Sequence, residues 1–215
     1  RRSVFPSILL LAACGGSARL PVSAGTGPNP QIPEPRTSFI PTVNVVTAKG
    51  WTAEDAPTPA SGLHVTAFAR GLSHPRWLYV LPNGDVLVAE TNAPKRPDDN
   101  KGIKGWFFRK FQAKAGGGVP SANRITLLRD TDGDGVAETR FPLLTGLSSP
   151  FGMALVGNTL YVANADNNDV AVIDIDEKGD SKMLGFIPTG WYPTALALSP
   201  DGRTLYVGTG KGLGF

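Results

Sequence analysis

Three near-copies of one strand–turn–strand unit, turn residues recurring through most of the chain and no long helical pattern predict an all-β fold. The expected architecture is a β-propeller with four-stranded antiparallel blades, present as an incomplete ring of about two and a half blades. The copies read PRWLYVLPNGDVLVAE at 75–90, PFGMALVGNTLYVAN at 150–164 and YPTALALSPDGRTLYVGT at 192–209. Each has an apolar strand, a Gly-containing turn (Asn83-Gly84, Gly157-Asn158, Asp201-Gly202) and a second apolar strand. Asn-Gly and Asp-Gly supply the positive φ angles that tight hairpins require. Pro75 stands twelve residues before Leu87, and Pro193 stands twelve before Leu205. From Pro150 to Leu160 the distance is ten, because that turn is two residues shorter.

The elements follow in order. Further strands are expected at 123–128 and 138–144 after the first copy, and at 169–174 and 183–187 after the second. Pro150 and Pro193 are 43 residues apart, a period suited to one four-stranded blade. A β-sandwich also has frequent turns, but it would not phase them in this way. A propeller needs at least four blades, so the ring is expected to be completed by further chain or by copies assembling. The reading frame is accordingly expected to continue beyond Arg1 and Phe215.

Composition agrees with a chain of short elements. Of 215 residues, 26 are Gly and 19 Pro, with 41% hydrophobic and 18% charged. The formal charge of +3 nearly vanishes if Arg1 and Arg2 leave with a signal, so the chain has no overall field for nucleic acid. Residues 1–14 read as the end of a signal with a lipobox. Two arginines precede a short apolar run, Ile8 to Ala13, which is too short to span a bilayer. Leu11-Ala12-Ala13-Cys14 resembles the lipobox of bacterial lipoproteins, in which the Cys14 thiol would be lipidated. An ordinary signal peptide or a buried lone cysteine is the alternative. An exported protein is expected, periplasmic or an outer-membrane lipoprotein of a bacterium, with the membrane reached through the lipid anchor. Residues 15–60 hold eight prolines and should form an extended tether. The partial propeller is expected over 61–215, with His64 in its first strand and His74 in the turn before Pro75.

Two segments within the propeller stand out. Residues 92–122 interrupt the first blade with seven basic and two acidic residues, interleaved with Trp106, Phe107, Phe108 and Phe111. Such a mixture can stack on a sugar, touch a lipid surface or receive a redox partner. Equally, the aromatics can pack on the propeller while the lysines face water. The other segment is DTDGDGVAE at 130–138. Asp130, Asp132 and Asp134 at alternate positions, with Gly133 and Gly135 between and after, can aim carboxylates at one Ca²⁺, as in the first half of an EF-hand loop. Phe141 stands where that loop would carry its bidentate glutamate, and Glu138 is the remaining candidate ligand. A solvated acidic turn is the alternative. Asp166-Asn167-Asn168-Asp169 reads as a polar turn. There is no Gly-rich phosphate loop, GxSxG elbow or paired-cysteine motif, so neither an NAD enzyme nor a serine hydrolase has support.

From Leu63 to Asp166, the words LPNGDVLVAETNAP, KGIKGW, GGGVPSANRITLLRDTDGDGVAE and GLSSPFGMALVGNTLYVANAD resemble the PQQ-dependent sugar dehydrogenases of the L-sorbosone dehydrogenase type. The resemblance implies a periplasmic six-bladed propeller oxidising an aldose or related aldehyde, with pyrroloquinoline quinone in its central cavity and a periplasmic electron acceptor. From Leu160 onward, LYVANADNNDVAVIDI and GFIPTGWYPTALALSPDGRTLYVGTGKGLG resemble YVTN-type propellers, including the form fused to phosphatase-like domains. The sorbosone-type pattern carries a His-Trp-Thr-Arg-Asn run before SPDG, and its histidine implies the general base. Trp191-Tyr192-Pro193-Thr194-Ala195 occupy those places here. The catalytic and quinone-binding residues of this chain are therefore unassigned. Three readings follow: a sugar or aldehyde dehydrogenase-like propeller, a non-enzymatic YVTN-type binding module, or the propeller half of a phosphoesterase fusion.

Overall fold

The computed structural model describes residues 20–32, 34, 45–52, 55–93, 101–176 and 180–212, with the backbone alone of Lys104. Cys14 and its lipobox lie outside the described residues. The chain forms two units, Arg1–Ala48 and Lys49–Phe215. In the first, a single 3-10 turn at Val22–Gly25 is followed by a bond from the Gln31 amide to the Ala24 carbonyl, 2.7 Å. The second unit begins at Lys49. Arg70 reaches back to the carbonyls of Thr52 and Asp55 at 2.8 and 3.2 Å, which ties residues 49–60 to it.

The second unit is built from meanders. β1 (Pro75–Val80), β2 (Val86–Glu90), β3 (Arg124–Arg129) and β4 (Thr139–Leu144) pair in sequence order as one antiparallel sheet. β5 (Pro150–Val156), β6 (Thr159–Asn164), β7 (Asp169–Ile175) and β8 (Ser181–Pro188) form a second sheet in the same way. β9 (Pro193–Leu198) and β10 (Leu205–Thr209) form a two-stranded sheet. These are two propeller blades and half of a third. His64 lies in no strand, contrary to expectation: residues 63–67 run without ladder partners and β1 starts at Pro75. The insertion at 92–122 contains the one α-helix among the described residues, α1 (Gly102–Lys114). No helix of the described residues is long and apolar enough to cross a membrane.

Equivalent backbone bonds confirm that the copies are one unit. The amide that follows the second strand donates to the carbonyl of the residue before the strand-opening proline. These bonds are Thr91 to His74 (3.1 Å), Ala165 to Ser149 (3.0 Å) and Gly210 to Tyr192 (2.7 Å). The first and third turns also match. Leu81 and Asp85 repeat as Ser199 and Thr204 in closing the hairpin, and Gly84 and Gly202 donate back to Leu81 and Ser199.

Alternation along β2, β3, β6 and β7 places one apolar face of each full blade against the other. Leu87, Ala89, Ile125, Leu127, Leu160, Val162, Ala171 and Ile173 fill that interface, and Leu143, Leu147 and Met153 close its borders. The half-blade packs on the opposite face of the second blade so closely that Gly152 is required. A Cβ there would stand 2.7 Å from the Thr194 carbonyl oxygen and 2.9 Å from the Leu196 nitrogen. At the turn end of the first blade, Asp85 is buried and takes a two-pronged bond from Arg129, at 2.7 and 2.6 Å.

Candidate functional site

Within each sheet β1 and β3, and β5 and β7, begin at the same end because neighbouring strands are antiparallel, and bonds from the Ser149 amide to Asn123 and from the Tyr192 amide to Asn168 bring these ends and the start of β9 together. The residue before each of these strands is His74, Asn123, Ser149, Asn168 or Tyr192, and every one has a positive φ between 48° and 60°. These are all the non-glycine residues with positive φ among those described. Left-handed backbone costs a side-chain-bearing residue free energy, and such strain collects at functional rims. The end they define is called the loop face below.

Two equivalent polar anchors hold this face. Glu90 ends β2 and pairs with Arg124 in the ladder; Asn164 ends β6 and pairs with Asp169. Glu90 is fully buried and accepts from the Ser73 amide, the Thr126 hydroxyl, and Nε and Nη2 of Arg124 at 2.9 and 3.1 Å. Burial by itself would raise its carboxyl pKa. The bonds from Arg124, Thr126 and Ser73 outweigh that effect and hold it below the usual glutamate value. In the second blade the neutral Asn164 does the corresponding work, accepting from the Ser148 amide at 2.5 Å and donating to Asp169 at 3.0 Å. The two blades thus solve one backbone problem with an ion pair and with an amide.

Between these anchors runs a chain of hydroxyl and amide groups. The Asn123 side-chain oxygen accepts from Ser121 (2.6 Å), Thr91 (3.2 Å) and the Ser149 amide (3.4 Å), which joins the two blades. Ser121 also receives the Asn92 amide at 2.8 Å, and the Ser149 hydroxyl bonds to Asp166. Beside this network is an open cavity of about 490 Å³ lined by Leu72, Ser73, His74, Val119, Pro120, Ser121 and Ala122. Its lining residues are apolar (Leu72, Val119, Pro120, Ala122) and polar (Ser73, His74, Ser121). That is a composition suited to a small polyol, whose faces are apolar and whose edges need hydrogen bonds. His74 stands in the expected turn before Pro75, with a left-handed backbone, and is among the residues that line this cavity.

On the half-blade the same face carries Trp191, Tyr192 and Lys211. The Lys211 ammonium lies 5.3 Å from the Trp191 ring centroid and 4.2 Å from that of Tyr192. Trp191 stands where the sorbosone-type pattern has its histidine, and an indole cannot accept a proton from a substrate hydroxyl.

The acidic loop lies at the other end of the first blade, between β3 and β4. Asp130, Asp132, Asp134 and Glu138 each offer an oxygen within 4.8 Å of the others. Oxygens that far apart can share one ion at about 2.4 Å, a calcium distance. Bonds within the loop preorganise it: Asp130 accepts from Gly133 (2.7 Å) and Gly135 (2.9 Å), and Glu138 accepts from the amide and hydroxyl of Thr131 (2.8 and 2.9 Å). The Gly135 amide chiefly holds the Asp130 carboxyl low, and the Thr131 amide does so for Glu138. Both stay ionised at neutral pH, as a cation site requires. The donor set suits a hard divalent ion. Asp166–Asp169 form the expected turn, a 3-10 segment at Ala165–Asn167 closed by left-handed Asn168.

Pyrroloquinoline quinone is a planar dione with three carboxylates, so a site for it needs several cations turned toward it. On the loop face Arg124 is committed to Glu90, Arg76 donates to the Thr91 carbonyl at 3.2 Å, and Lys211 covers two rings. These described residues do not make up such a set.

No family model matches the chain, and no curated protein matches it. Among solved structures, it is similar to the gluconolactonase XC5397 from Xanthomonas campestris, at 19% identity and a TM-score of 0.43 over 66% of this chain and 36% of that one. It is similar to a Trichoderma reesei protein of Carbohydrate-Active Enzymes Family AA12, at 18% identity and 0.46 over 75% and 36%. A Thermus thermophilus protein described as an oxidoreductase (glucose dehydrogenase) gives 21% identity and 0.38 over 66% and 42%. The chain thus spans about two fifths of the length of these proteins. At these identities the likeness is one of fold and transfers no residue role.

Proposed function

We propose that this chain belongs to a sugar-directed propeller whose loop face binds a sugar or sugar-derived aldehyde. The observation that carries the reading is the cavity beside Ser73, His74 and Ser121, set against the hydroxyl–amide network that joins the two blades. Apolar walls from Leu72, Val119 and Pro120 would face the carbon skeleton, and the hydroxyls and imidazole would meet ligand hydroxyls. The resemblance of residues 63–166 to the sorbosone-type dehydrogenases extends the proposal to oxidation of that ligand. The acidic loop takes calcium as a structural ion, remote from the loop face along β3.

The test is uptake and turnover. The protein is incubated with calcium and pyrroloquinoline quinone, and an artificial electron acceptor is followed while a panel of aldoses is added. Dye reduction that needs both quinone and sugar supports the dehydrogenase. Absence of quinone uptake together with absence of reduction across the panel overturns it.

Trp191 in the place of the family histidine favours a second reading, a YVTN-type module that binds its ligand on the loop face without turning it over. That reading predicts sugar binding with no quinone uptake.

A further inference from the structure

We infer that α1 is a surface-docking helix whose exposed aromatic side lies on an anionic lipid bilayer. The helix has thirteen residues, which makes it about 20 Å long at 1.5 Å per residue. Ile103, Phe107 and Phe111 follow one another at four-residue steps along one side, with Phe108 and Trp106 flanking them. All five are exposed: Ile103 by 79%, Trp106 by 52%, Phe107 by 48%, Phe108 by 47% and Phe111 by 39%. Three of them form one patch, since the Trp106 and Phe107 rings meet edge to face at 4.8 Å and Phe107 stacks with Phe111 at 6.4 Å; Ile103 continues it by the four-residue spacing. No α1 residue belongs to the core between the blades. Gly105 is buried, and two residues along a helix is a rotation of about 200°. The helix therefore turns Gly105 inward and Phe107 outward. Five large apolar side chains exposed together on one side of a helix mark an interaction surface.

Charge decides the occupant. From Lys101 to Arg129 the chain has no acidic residue, while the helix segment carries Lys101, Lys104, Arg109, Lys110 and Lys114. The Lys110 ammonium sits 5.2 Å from the Trp106 ring centroid, so cation and aromatic are side by side in the patch. Protein interfaces exclude lysine from their apolar centres. A bilayer surface accepts this mixture, because aromatic rings enter the headgroup boundary while lysines extend to phosphates. The patch also lies on a convex helix, which offers no concavity for a sugar ring.

The experiment uses the full chain with Cys14→Ser, which removes its single cysteine and the expected lipidation point. Ile103→Cys then carries one environment-sensitive fluorophore. With phosphatidylglycerol-containing vesicles the dye should brighten and shift to the blue. Phosphatidylcholine vesicles should give no response, and high salt should reverse the shift. Each basic side chain near an anionic surface strengthens binding about fivefold, so Lys110→Gln with Lys114→Gln should weaken it about 25-fold. Phe107→Ser with Phe111→Ser should abolish the shift without changing the melting temperature, because neither ring is in the core. An unshifted dye on anionic vesicles overturns the inference, as does an equal response on neutral ones. So does a blue-shifted dye without vesicles in a protein that sediments as a dimer, which would give the face to a second copy of the chain.

Discussion

Replacing Glu90 with glutamine tests the loop face at its most buried point. Glu90 Oε1 accepts from Arg124 Nε and the Thr126 hydroxyl; Oε2 accepts from Arg124 Nη2 and the Ser73 amide. A glutamine keeps the shape but converts one oxygen into a donor. The Thr126 hydroxyl can rotate to accept from it, whereas Arg124 has no acceptor to offer. One guanidinium bond is therefore lost in either amide orientation. Breaking a buried ion pair from one side costs about 3–5 kcal/mol. The Arg124 side chain is 30% exposed, so water recovers part of that, and about 2–3 kcal/mol is expected. For a folded unit of this size that corresponds to a fall of roughly 5–10 °C in melting temperature. Thermal unfolding followed by far-ultraviolet circular dichroism would measure it. Arg124→Gln made alone and together with Glu90→Gln completes a cycle, and the double variant should cost less than the sum of the singles. A fall of less than about 2 °C in Glu90→Gln would refute the reasoning, because it would show the anchor to be dispensable.

Three further outcomes follow. Gly152→Ala should lower stability by about 1–3 kcal/mol, because its Cβ meets the β9 backbone, which cannot swing aside as a side chain can; an unchanged unfolding midpoint in urea would show that β9 does not pack there. Added calcium should raise the melting temperature, and Asp132→Ala with Asp134→Ala should abolish the rise; if the rise persists, the ion binds elsewhere. Glu90 and Asp85 have carboxyl pKa values depressed in the folded state, Asp85 chiefly through its bond from Arg129. Their contribution is complete above the unfolded values near 4 and is lost as pH falls through the lower folded values. The wild-type melting temperature should therefore drop below about pH 4 more steeply than that of Glu90→Gln, and parallel curves would contradict the assignment.

The blade pattern was legible because it rests on short-range signals. Alternating apolar residues and Asn-Gly or Asp-Gly turns place each strand within a few residues, as at β3, β4, β7 and β8. The alternation Leu63-His64-Val65-Thr66 has the pattern of a strand, but among the described residues no strand pairs with 63–67. The helix at Gly102–Lys114 leaves little 3.6-residue periodicity in the sequence, since Trp106, Phe107 and Phe108 are consecutive and Lys110 and Lys114 fall on the same side as Phe107 and Phe111. The acidic loop was legible because its ligands lie within nine residues, and the structure brings all four together. The loop-face network was not, because Thr91, Ser121, Asn123 and Ser149 come from three separate connections. Only the pairing shows that Glu90 and Asn164 are equivalent, opposite Pro75 and Pro150; in the sequence they stand three and four residues past the aligned Leu87 and Leu160, so the copies do not match them.

The most direct test of the central claim is a calorimetric titration of the protein with aldoses and their aldehyde derivatives. Binding is expected for at least one of them, weakened about tenfold by Ser121→Ala or by His74→Asn, which retains a residue tolerant of left-handed backbone. No heat with any sugar, or binding indifferent to both substitutions, would contradict a sugar-directed loop face.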